Sequence, residues 1–321
     1  MNLIRPVLQL AMAAVALTCA GAFAQADYPN RPVKIIVPFA AGGPADNYAR
    51  FIAKRLSEEL KQPFVVDDKP GAGSIIGTDV VAKSAPDGYT LLMMSNTHTV
   101  NESLVPAKPF NLMNDFVGVA PVNYSDLMLV VHPSVPAKTL PELIALARSK
   151  PGKLNYASSG TGTPYHMAGE LFKHMAGVKI THIPYKGSSG ARTDVVGGQV
   201  DMMFDAVTTM TPMARDGKVR GLATTGKSRY QPDMPTVAET VPKYEATIWL
   251  GIMAPKGTPP EIVSKLNGEI RKIVAQPDVK AAWASQGAVP MSMTVPEFQQ
   301  YLKDDIAKWA NIVKISGAKP D

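Results

Sequence analysis

The stretch Val33-Lys34-Ile35-Ile36-Val37-Pro38-Phe39-Ala40-Ala41-Gly42-Gly43-Pro44-Ala45-Asp46 decides the fold of this chain. Its apolar, β-branched run Ile35–Val37 is typical of a strand buried on both faces. Gly42-Gly43 permits a tight turn, and Pro44 suits the first position of a helix. Apolar residues then recur at helical spacing until Gln62-Pro63, where the helix is expected to end. The stretch therefore predicts a strand, a glycine turn and a helix N-terminus in direct succession.

Two interpretations of this unit remain open at the level of sequence. Unpaired N–H groups of a glycine turn and the positive end of a helix dipole together create an anion site. The same glycines also suit an ordinary connection between a strand and a helix that binds nothing.

The length and composition indicate a globular protein of two domains. With 321 residues, 45% hydrophobic and 19% charged, the chain exceeds one minimal core and is not disordered. The formal net charge is +6, but the Lys and Arg residues are scattered, whereas a nucleic-acid-binding face needs them clustered. Nucleic acid is therefore not an expected partner.

Residues 1–26 have the pattern of a secretory signal peptide. Arg5 supplies the positive start, residues 8–17 are apolar apart from Gln9, and Ala22-Phe23-Ala24 or Ala24-Gln25-Ala26 offers the cleavage site. No later stretch of about 18 apolar residues follows, so a soluble protein exported to the periplasm is expected.

The single cysteine, Cys19, lies inside this segment. A lipoprotein interpretation would make it the acylated residue, but Thr18 fits poorly before such a site. Cleavage after Ala24 or Ala26 would remove the thiol and leave no disulfide or cysteine nucleophile.

The first part of the chain predicts a βαβαβ unit, and hence a parallel sheet with right-handed crossovers. After the first helix come a strand at 64–66, a helix at 75–83 and a strand at 89–94. Ligands of such sheets bind beyond the carboxyl ends of the strands. This places three segments along one edge: Phe39–Gly43, Gly71–Ser74 and Ser95–Thr97.

The second part repeats the design. Strands are predicted at 127–131, 154–157, 180–184, 200–204 and 219–224, with a helix at 140–149. Thr163 and Pro164 suit the N-cap and first position of a helix running to about Met175.

A strand predicted at 246–254 leads the chain back from the second domain, and two helices predicted at 261–275 and 294–316 follow it. The last of these opens with a capping box, Thr294 and Glu297, and carries an apolar stripe. We expect residues 27–125 with 250–321 to form domain 1 and residues 126–249 to form domain 2. The two crossings would make a hinge, with glycine-rich edges facing each other across a cleft.

Two nucleotide-binding patterns are present but do not fit their surroundings. Gly221–Ser228 matches a P-loop in its letters, yet residues 222–224 belong to a strand and residues 230–235 cannot continue a helix begun at Lys227. Gly71–Gly77 resembles a dinucleotide fingerprint with the last glycine one place late. No cofactor is predicted from either.

The sequence gives little support for a hydrolase or for a metal site. A serine hydrolase needs Gly-x-Ser-x-Gly, which Ser158-Ser159-Gly160 lacks, although His166 and Asp205 could be imagined as triad partners. The five histidines show no His-x-x-x-His spacing, so no zinc site is predicted. What remains is a set of hydroxyls and glycine N–H groups that binds and orients, so the chain is not expected to be an enzyme. Asp205 could accept an ammonium, a water or a backbone N–H, or could be a structural cap.

A series of motifs resembles the Bug (TctC-like) family, the extracytoplasmic solute receptors of tripartite tricarboxylate transporters. The motifs extend over essentially the whole mature chain: Tyr28-Pro29-x-Arg31-Pro32-Val33, Val37–Asp46, Lys69–Gly73, Ala85–Thr90, Ser158–Glu170, Pro184–Gly187 and Gly198–Asp205.

The resemblance implies an α/β fold with two lobes, the type II periplasmic-binding (Venus-flytrap) fold, with a parallel-rich sheet in each domain. It implies closure on a small carboxylate-bearing metabolite or amino acid, held by backbone and hydroxyl groups of two facing loops. Carried onto this sequence, the candidate ligand-binding residues are Phe39, Ala40, Ala41, Gly42, Gly43, Asp46, Ser74, Ser95, Asn96, Ser158, Ser159, Gly160, Thr161, Gly162, Thr163, His166, Tyr185, Lys186 and Asp205. The chain departs from the family at Gly73-Ser74, where a further glycine is frequent, and at Asp68, where asparagine is common.

The partners implied are the membrane permease subunits of such a transporter. A co-receptor that reports ligand status to a membrane sensor kinase is the main alternative, and a periplasmic hydrolase is a distant third. The sequence does not name the ligand.

Overall fold

The computed structural model describes residues 28–226 and 231–320. The predicted signal peptide, Cys19 and the Lys227-Ser228 end of the P-loop match lie outside these residues. A search of the described residues finds no helix with the length and apolar character of a membrane span.

Ten strands and twelve α-helices lie within the described ranges. The strands are β1 Val33–Val37, β2 Phe64–Asp68, β3 Thr90–Ser95, β4 Phe116–Val131, β5 Asn155–Ser158, β6 Thr181–Pro184, β7 Met202–Ala206, β8 Arg220–Thr224, β9 Thr247–Pro255 and β10 Ala288–Pro290. The helices are α1 Pro44–Leu60, α2 Ile75–Ala82, α3 Asn96–Leu104, α4 Leu112–Asp115, α5 Leu140–Ser149, α6 Pro164–Ala176, α7 Ser188–Val196, α8 Val207–Arg215, α9 Val237–Thr240, α10 Pro260–Ala275, α11 Pro277–Ala284 and α12 Val295–Ser316.

The predicted βαβαβ unit is confirmed. Strand β1 lies between β2 and β3 and pairs in parallel with both. Its residues Ile35, Ile36 and Val37 are completely buried, as expected for a strand covered on both faces. Helix α1 begins at Pro44 and ends at Leu60, just before Gln62-Pro63.

The second half repeats this unit, as predicted. Strand β5 pairs in parallel with β6 and with β7, and helix α6 follows β5. Thr163 is the N-cap of α6, where its side chain accepts the His166 N–H, and Pro164 occupies the first turn. The helix therefore begins at the residues that the sequence predicted, Thr163 and Pro164.

Strands β4 and β9 join the two units into one curled sheet of order β2-β1-β3-β9-β4-β7-β5-β6, with β8 and β10 also paired to β4. The first part of β4, Phe116–Asp126, pairs with β9 in antiparallel orientation. The second part, Leu127–Val131, pairs with β7 and β8. Lobe 1 thus contains β1–β3, β9 and β10, and lobe 2 contains β5–β8. This architecture confirms the predicted two-lobed α/β fold.

Two sequence-based boundaries differ from the structure. Strand β4 was predicted only over 127–131, but it begins at Phe116. Gly118 and Pro121 interrupt a strand pattern in the added part, and the pairing with β9 accommodates them through shifts of register. The third strand was predicted to close with Ser95–Thr97, but β3 ends at Ser95 and Asn96 begins helix α3, which was not predicted. Ser95 caps that helix, and the His98 side chain accepts the Ser95 N–H to complete a capping box.

The C-terminal helix α12 packs on both lobes. Its predicted capping box, Thr294 with Glu297, is confirmed. Phe298 and Leu302 belong to a core cluster of lobe 1, whereas Trp309 belongs to the core of lobe 2. The predicted apolar stripe therefore holds the helix across the connection between the lobes.

Candidate functional site

A cavity lies between the lobes, at the carboxyl ends of the parallel strands. The space between its walls is about 340 Å³, with the open solvent at its mouth included. Its walls come from four segments of lobe 1 and three of lobe 2: Phe39, Ala40, Gly43, Pro44, Ala45, Ser95, Thr97, Ile248 and Leu250, and Ser159, Pro164, Tyr165, Gly187 and Ser188. No charged side chain is among these lining residues.

Four helix N-termini converge on this cavity. Helices α1, α3, α6 and α7 start at Pro44, Asn96, Pro164 and Ser188, and each contributes its cap or first-turn residues to the walls. The N-terminal end of a helix carries a partial positive charge and unpaired N–H groups. The cavity is therefore electropositive although its walls carry no charged side chain.

Free backbone donors reinforce this character. Within residues 28–226 and 231–320, the N–H groups of Ala40, Gly43 and Ser159 donate no hydrogen bond to the protein. All three residues line the cavity. Because a buried N–H without an acceptor is costly, these groups are suited to an acceptor supplied by a ligand or by water.

A larger, open groove adjoins the cavity, with about 1180 Å³ of empty space. Phe39 and Ser159 line both spaces. The groove is also lined by Gly71–Ser74 and by Gly160, Thr161, Tyr185 and Lys186. Lys186 is the one charged residue among its described lining. The Ser74 Oγ and Asn101 Oδ1 atoms at this groove are buried without a hydrogen-bond partner.

Two stacked histidines support the loop at Ser158–Thr163. The rings of His166 and His182 lie 4.2 Å apart between centroids. His182 Nε2 lies 2.6 Å from Ser158 Oγ, and His166 Nδ1 accepts the Gly162 N–H at 3.1 Å. Burial lowers the pKa of His166 to about 4 and that of His182 to about 3. Both rings are therefore neutral at physiological pH and can accept hydrogen bonds.

Glu170 lies beside the two histidines and connects their neighbours. Its Oε1 atom accepts from the Tyr156 hydroxyl and from Lys173 Nζ, each at 2.6 Å, and lies 3.9 Å from His166 Nε2. The loop that faces the cavity therefore rests on a polar network rather than on apolar packing alone.

Asp205 is the penultimate residue of strand β7 and is completely buried. Its Oδ1 accepts the Ala206 N–H at 2.7 Å, and its Oδ2 lies 3.1 Å from Arg192 Nε. Burial raises the pKa of Asp205 to about 6, although Arg192 opposes that shift. Of the roles considered from the sequence, the structure shows acceptance of a backbone N–H.

Helix α7 also reaches lobe 1 directly. Ser189 Oγ donates to the Ala41 carbonyl at 2.9 Å, and Arg192 Nη2 donates to the Gly42 carbonyl at 3.2 Å. These bonds join helix α7 of lobe 2 to the loop after β1 of lobe 1, which places the lobes in a closed arrangement.

The structure divides the sequence-predicted residues into two groups. One group lines the cavity or the groove: Phe39, Ala40, Gly43, Ser74, Ser95, Ser159, Gly160, Thr161, Tyr185 and Lys186. The other group does not line either space: Ala41 and Gly42 are exposed and accept hydrogen bonds from α7, whereas Asp46, Asn96, Ser158, Gly162, Thr163, His166 and Asp205 are buried behind the walls. For example, Asp46 Oδ2 accepts the Gly42 N–H, and the Asn96 amide donates to the Thr247 carbonyl.

The imagined hydrolase triad is not assembled. His166 contacts Gly162 and Glu170, whereas Asp205 pairs with Arg192. Ser158 does lie beside a histidine, His182, but its side chain is fully buried, and its Oγ accepts the Gly160 N–H. This pair therefore shapes the loop and is closed to a substrate.

Sequence reasoning missed several residues of the site. Ser188 and Arg192 were overlooked because helix α7 was not predicted, although Gly187 before a run of small residues was a usable signal. Ile248 and Leu250 alternate on β9 and both line the cavity, but β9 is apolar on both faces, so its sequence does not reveal which face meets a ligand.

Comparisons with known proteins agree with this geometry. Residues 48–318 match the model of the tripartite tricarboxylate transporter family receptor. The chain is 39% identical over 297 residues to protein BugT of Bordetella pertussis (strain Tohama I), and the aligned region covers 91% of each of the two chains.

Two solved structures are similar over nearly their full length. R. palustris Rpa4515, solved with adipate, has a TM-score of 0.88 and 35% identity over 92% of this chain and 100% of its own. MatC from Rhodopseudomonas palustris, with bound malate, has a TM-score of 0.84 and 31% identity over 89% of this chain and 100% of its own.

Proposed function

This chain belongs to the tripartite tricarboxylate transporter receptor family, and on that premise we propose that it captures a small carboxylate-bearing metabolite in the cavity between its lobes. It is a solute-binding protein of the TctC/Bug type. The loaded, closed form would then be recognised by the membrane permease subunits of a tripartite transporter.

The convergence of four helix N-termini on one cavity without charged walls carries this proposal. A carboxylate there would accept hydrogen bonds from the free N–H groups of Ala40, Gly43 and Ser159. The helix dipoles would favour its negative charge. The relatives solved with adipate and malate support a carboxylate as the ligand class.

Closure would be the mechanism of capture. We propose domain 1 as residues 27–125 with 250–321 and domain 2 as residues 126–249. Strand β4 changes its partners between Asp126 and Leu127, which supports a hinge at that point. A ligand that touches both lobes favours the closed form by its differential affinity for that form.

The proposal extends to location and to the absence of catalysis. Proteins of this family are periplasmic, and residues 1–26 would direct this chain there and be removed. With Ser158 buried and Asp205 paired to Arg192, the site would bind and release its ligand unchanged. A co-receptor for a sensor kinase would use the same closed form; it differs in the membrane partner that co-purifies with the loaded protein.

The testing experiment is a thermal-shift screen of refolded, ligand-free mature protein against small mono- and dicarboxylates. A binder present at about 100 times its dissociation constant adds about 2.7 kcal/mol to the free energy of unfolding. Ser159→Leu, which fills the cavity, should abolish the shift. Ser149→Leu, an equal change at the exposed end of α5, should preserve it. If no carboxylate stabilises the wild-type protein, the proposed function is wrong.

A further inference from the structure

We infer that Arg192 acts as a built-in counter-cation for Asp205, and that the cavity consequently selects carboxylates without an ammonium group and rejects amino acids. This inference deepens the proposed capture of a carboxylate and rests on it. It assigns to Arg192 the role of a specificity-determining residue.

The first argument is that Asp205 already has a counter-cation, because its Oδ2 atom, which accepts no hydrogen bond within the described residues, forms an ion pair with Arg192. Its Oδ1 accepts the Ala206 N–H at 2.7 Å, and its Oδ2 lies 3.1 Å from Arg192 Nε. The side chain is completely buried, behind Tyr165 and Ser188 of the cavity wall. A ligand ammonium would therefore have to compete with the Arg192 guanidinium for this carboxylate.

The second argument is that Arg192 is held firmly in that position. Its Nε also donates to the Ser188 carbonyl at 3.2 Å, and its Nη2 donates to Ser188 Oγ at 3.1 Å. The same Nη2 atom donates to the Gly42 carbonyl of lobe 1. Charge-assisted hydrogen bonds of this kind are stronger than neutral ones, so displacement would cost several of them at once.

The third argument concerns two other acids near the cleft, Asp46 and Asp194, each of which already has a partner. Asp46 accepts the Gly42 N–H and pairs with Arg50 at 2.6 Å. Asp194 accepts the Tyr185 hydroxyl. None of the described residues that line the cavity carries a carboxylate.

An ammonium group placed in this cavity would therefore be buried without a counter-charge, beside four positive helix ends. Burying an unpaired charge is costly, and the helix N-termini would add repulsion. A carboxylate on the same carbon skeleton meets neither penalty. The preference follows from the charge of the site and does not depend on the length of the ligand.

The test uses pairs of ligands that differ only by an amino group: succinate and aspartate, glutarate and glutamate, adipate and 2-aminoadipate. Isothermal titration calorimetry on ligand-free wild-type protein should show the member without the amino group binding roughly 100-fold more tightly, which is about 2.7 kcal/mol. Equal affinities within a pair would overturn the inference while leaving carboxylate capture intact. If neither member of any pair binds, the proposed function fails and the inference fails with it.

Variants test whether Arg192 causes this preference for ligands without an amino group. Arg192→Met should reduce the preference at least tenfold by freeing Asp205 for an ammonium. Arg192→Met with Asp205→Asn, which removes both charges, should bind amino compounds no better than the wild type. Arg148→Met, at an arginine that donates to the Ala176 carbonyl instead, should leave the preference unchanged. A preference that survives Arg192→Met would overturn the role of Arg192.

Discussion

Gly187 of lobe 2 lies so close to Ala40 of lobe 1 that a Cβ atom on Gly187 would be 2.5 Å from the Ala40 Cβ. The φ angle of Gly187 is 164°, an extended conformation that any residue can adopt. The glycine is therefore needed for the close approach of the lobes and not for the conformation of its own backbone.

Gly187→Ala should consequently weaken ligand binding by at least about tenfold, because the added methyl group opposes closure and each tenfold loss corresponds to 1.4 kcal/mol. The free energy of unfolding of the ligand-free protein should change little, since the open form has room for the methyl group. Titration calorimetry and urea unfolding measure the two effects. Gly268→Ala, at a helical glycine with open space around it, should leave the affinity unchanged. Unaltered binding in Gly187→Ala would contradict closure by this contact.

Thr163→Val should remove both the N-cap of α6 and the bond from Thr163 Oγ1 to the Gly160 carbonyl, which is 2.6 Å long. We expect a loss of about 1 kcal/mol in the free energy of unfolding, together with weaker ligand binding. Thr139→Val removes an equivalent cap on α5 and should cost similar stability without affecting affinity. Equal affinity losses in both variants would show that the loop has no special role.

Acid should destabilise the protein through its buried histidines. Burial lowers the pKa of His98 and His166 to about 4 and that of His182 to about 3, against about 6.5 in an unfolded chain. Between pH 6.5 and 4 the unfolded chain therefore binds protons that the folded chain does not, so this contribution to stability falls as the pH falls.

Two buried acids act in the opposite direction. Burial raises the pKa of Asp205 and Asp305 to about 6, so the folded chain takes up their protons before the unfolded chain does. The histidine contribution is best isolated by comparing His182→Gln with the wild type in urea unfolding from pH 7 to pH 4. The variant should lose less stability on acidification, and parallel pH profiles would refute the assignment.

Asp305→Ala should destabilise the protein by about 1–3 kcal/mol, because it leaves buried donors without an acceptor. Asp305 Oδ2 accepts from Thr99 Oγ1 at 2.5 Å and from Trp249 Nε1 at 3.2 Å. It thereby joins α12, α3 and β9. The adjacent Asp304 is exposed, and Asp304→Ala should be nearly neutral. Chemical unfolding followed by tryptophan fluorescence distinguishes the two, and equal stabilities would contradict this role.

The fold was predictable where its signals are local. The β-branched run at Ile35–Val37, the first-turn prolines Pro44 and Pro164 and the cap at Thr163 each act within a few residues, so they appear directly in the sequence. Strand β4 was only partly predictable, because its pairing with β9 overrides the interruptions at Gly118 and Pro121.

The candidate site was predictable as a set of loops but not as a set of contacts. Ser159 and His166 lie within eight residues of each other, yet the first lines the cavity and the second supports it from behind. Which side of a loop meets the ligand depends on the elements packed against it, and those come from distant parts of the chain.

By itself, the sequence determined the two βαβ units, their glycine-rich loops and the helix N-termini at Pro44 and Pro164, because each depends on interactions between near neighbours. Only the tertiary structure decided the charge of the site. Arg192 reaches Asp205 at the end of another element and Gly42, 150 residues away in the chain. No local pattern encodes such a pairing, since it exists only after the two lobes have folded and met.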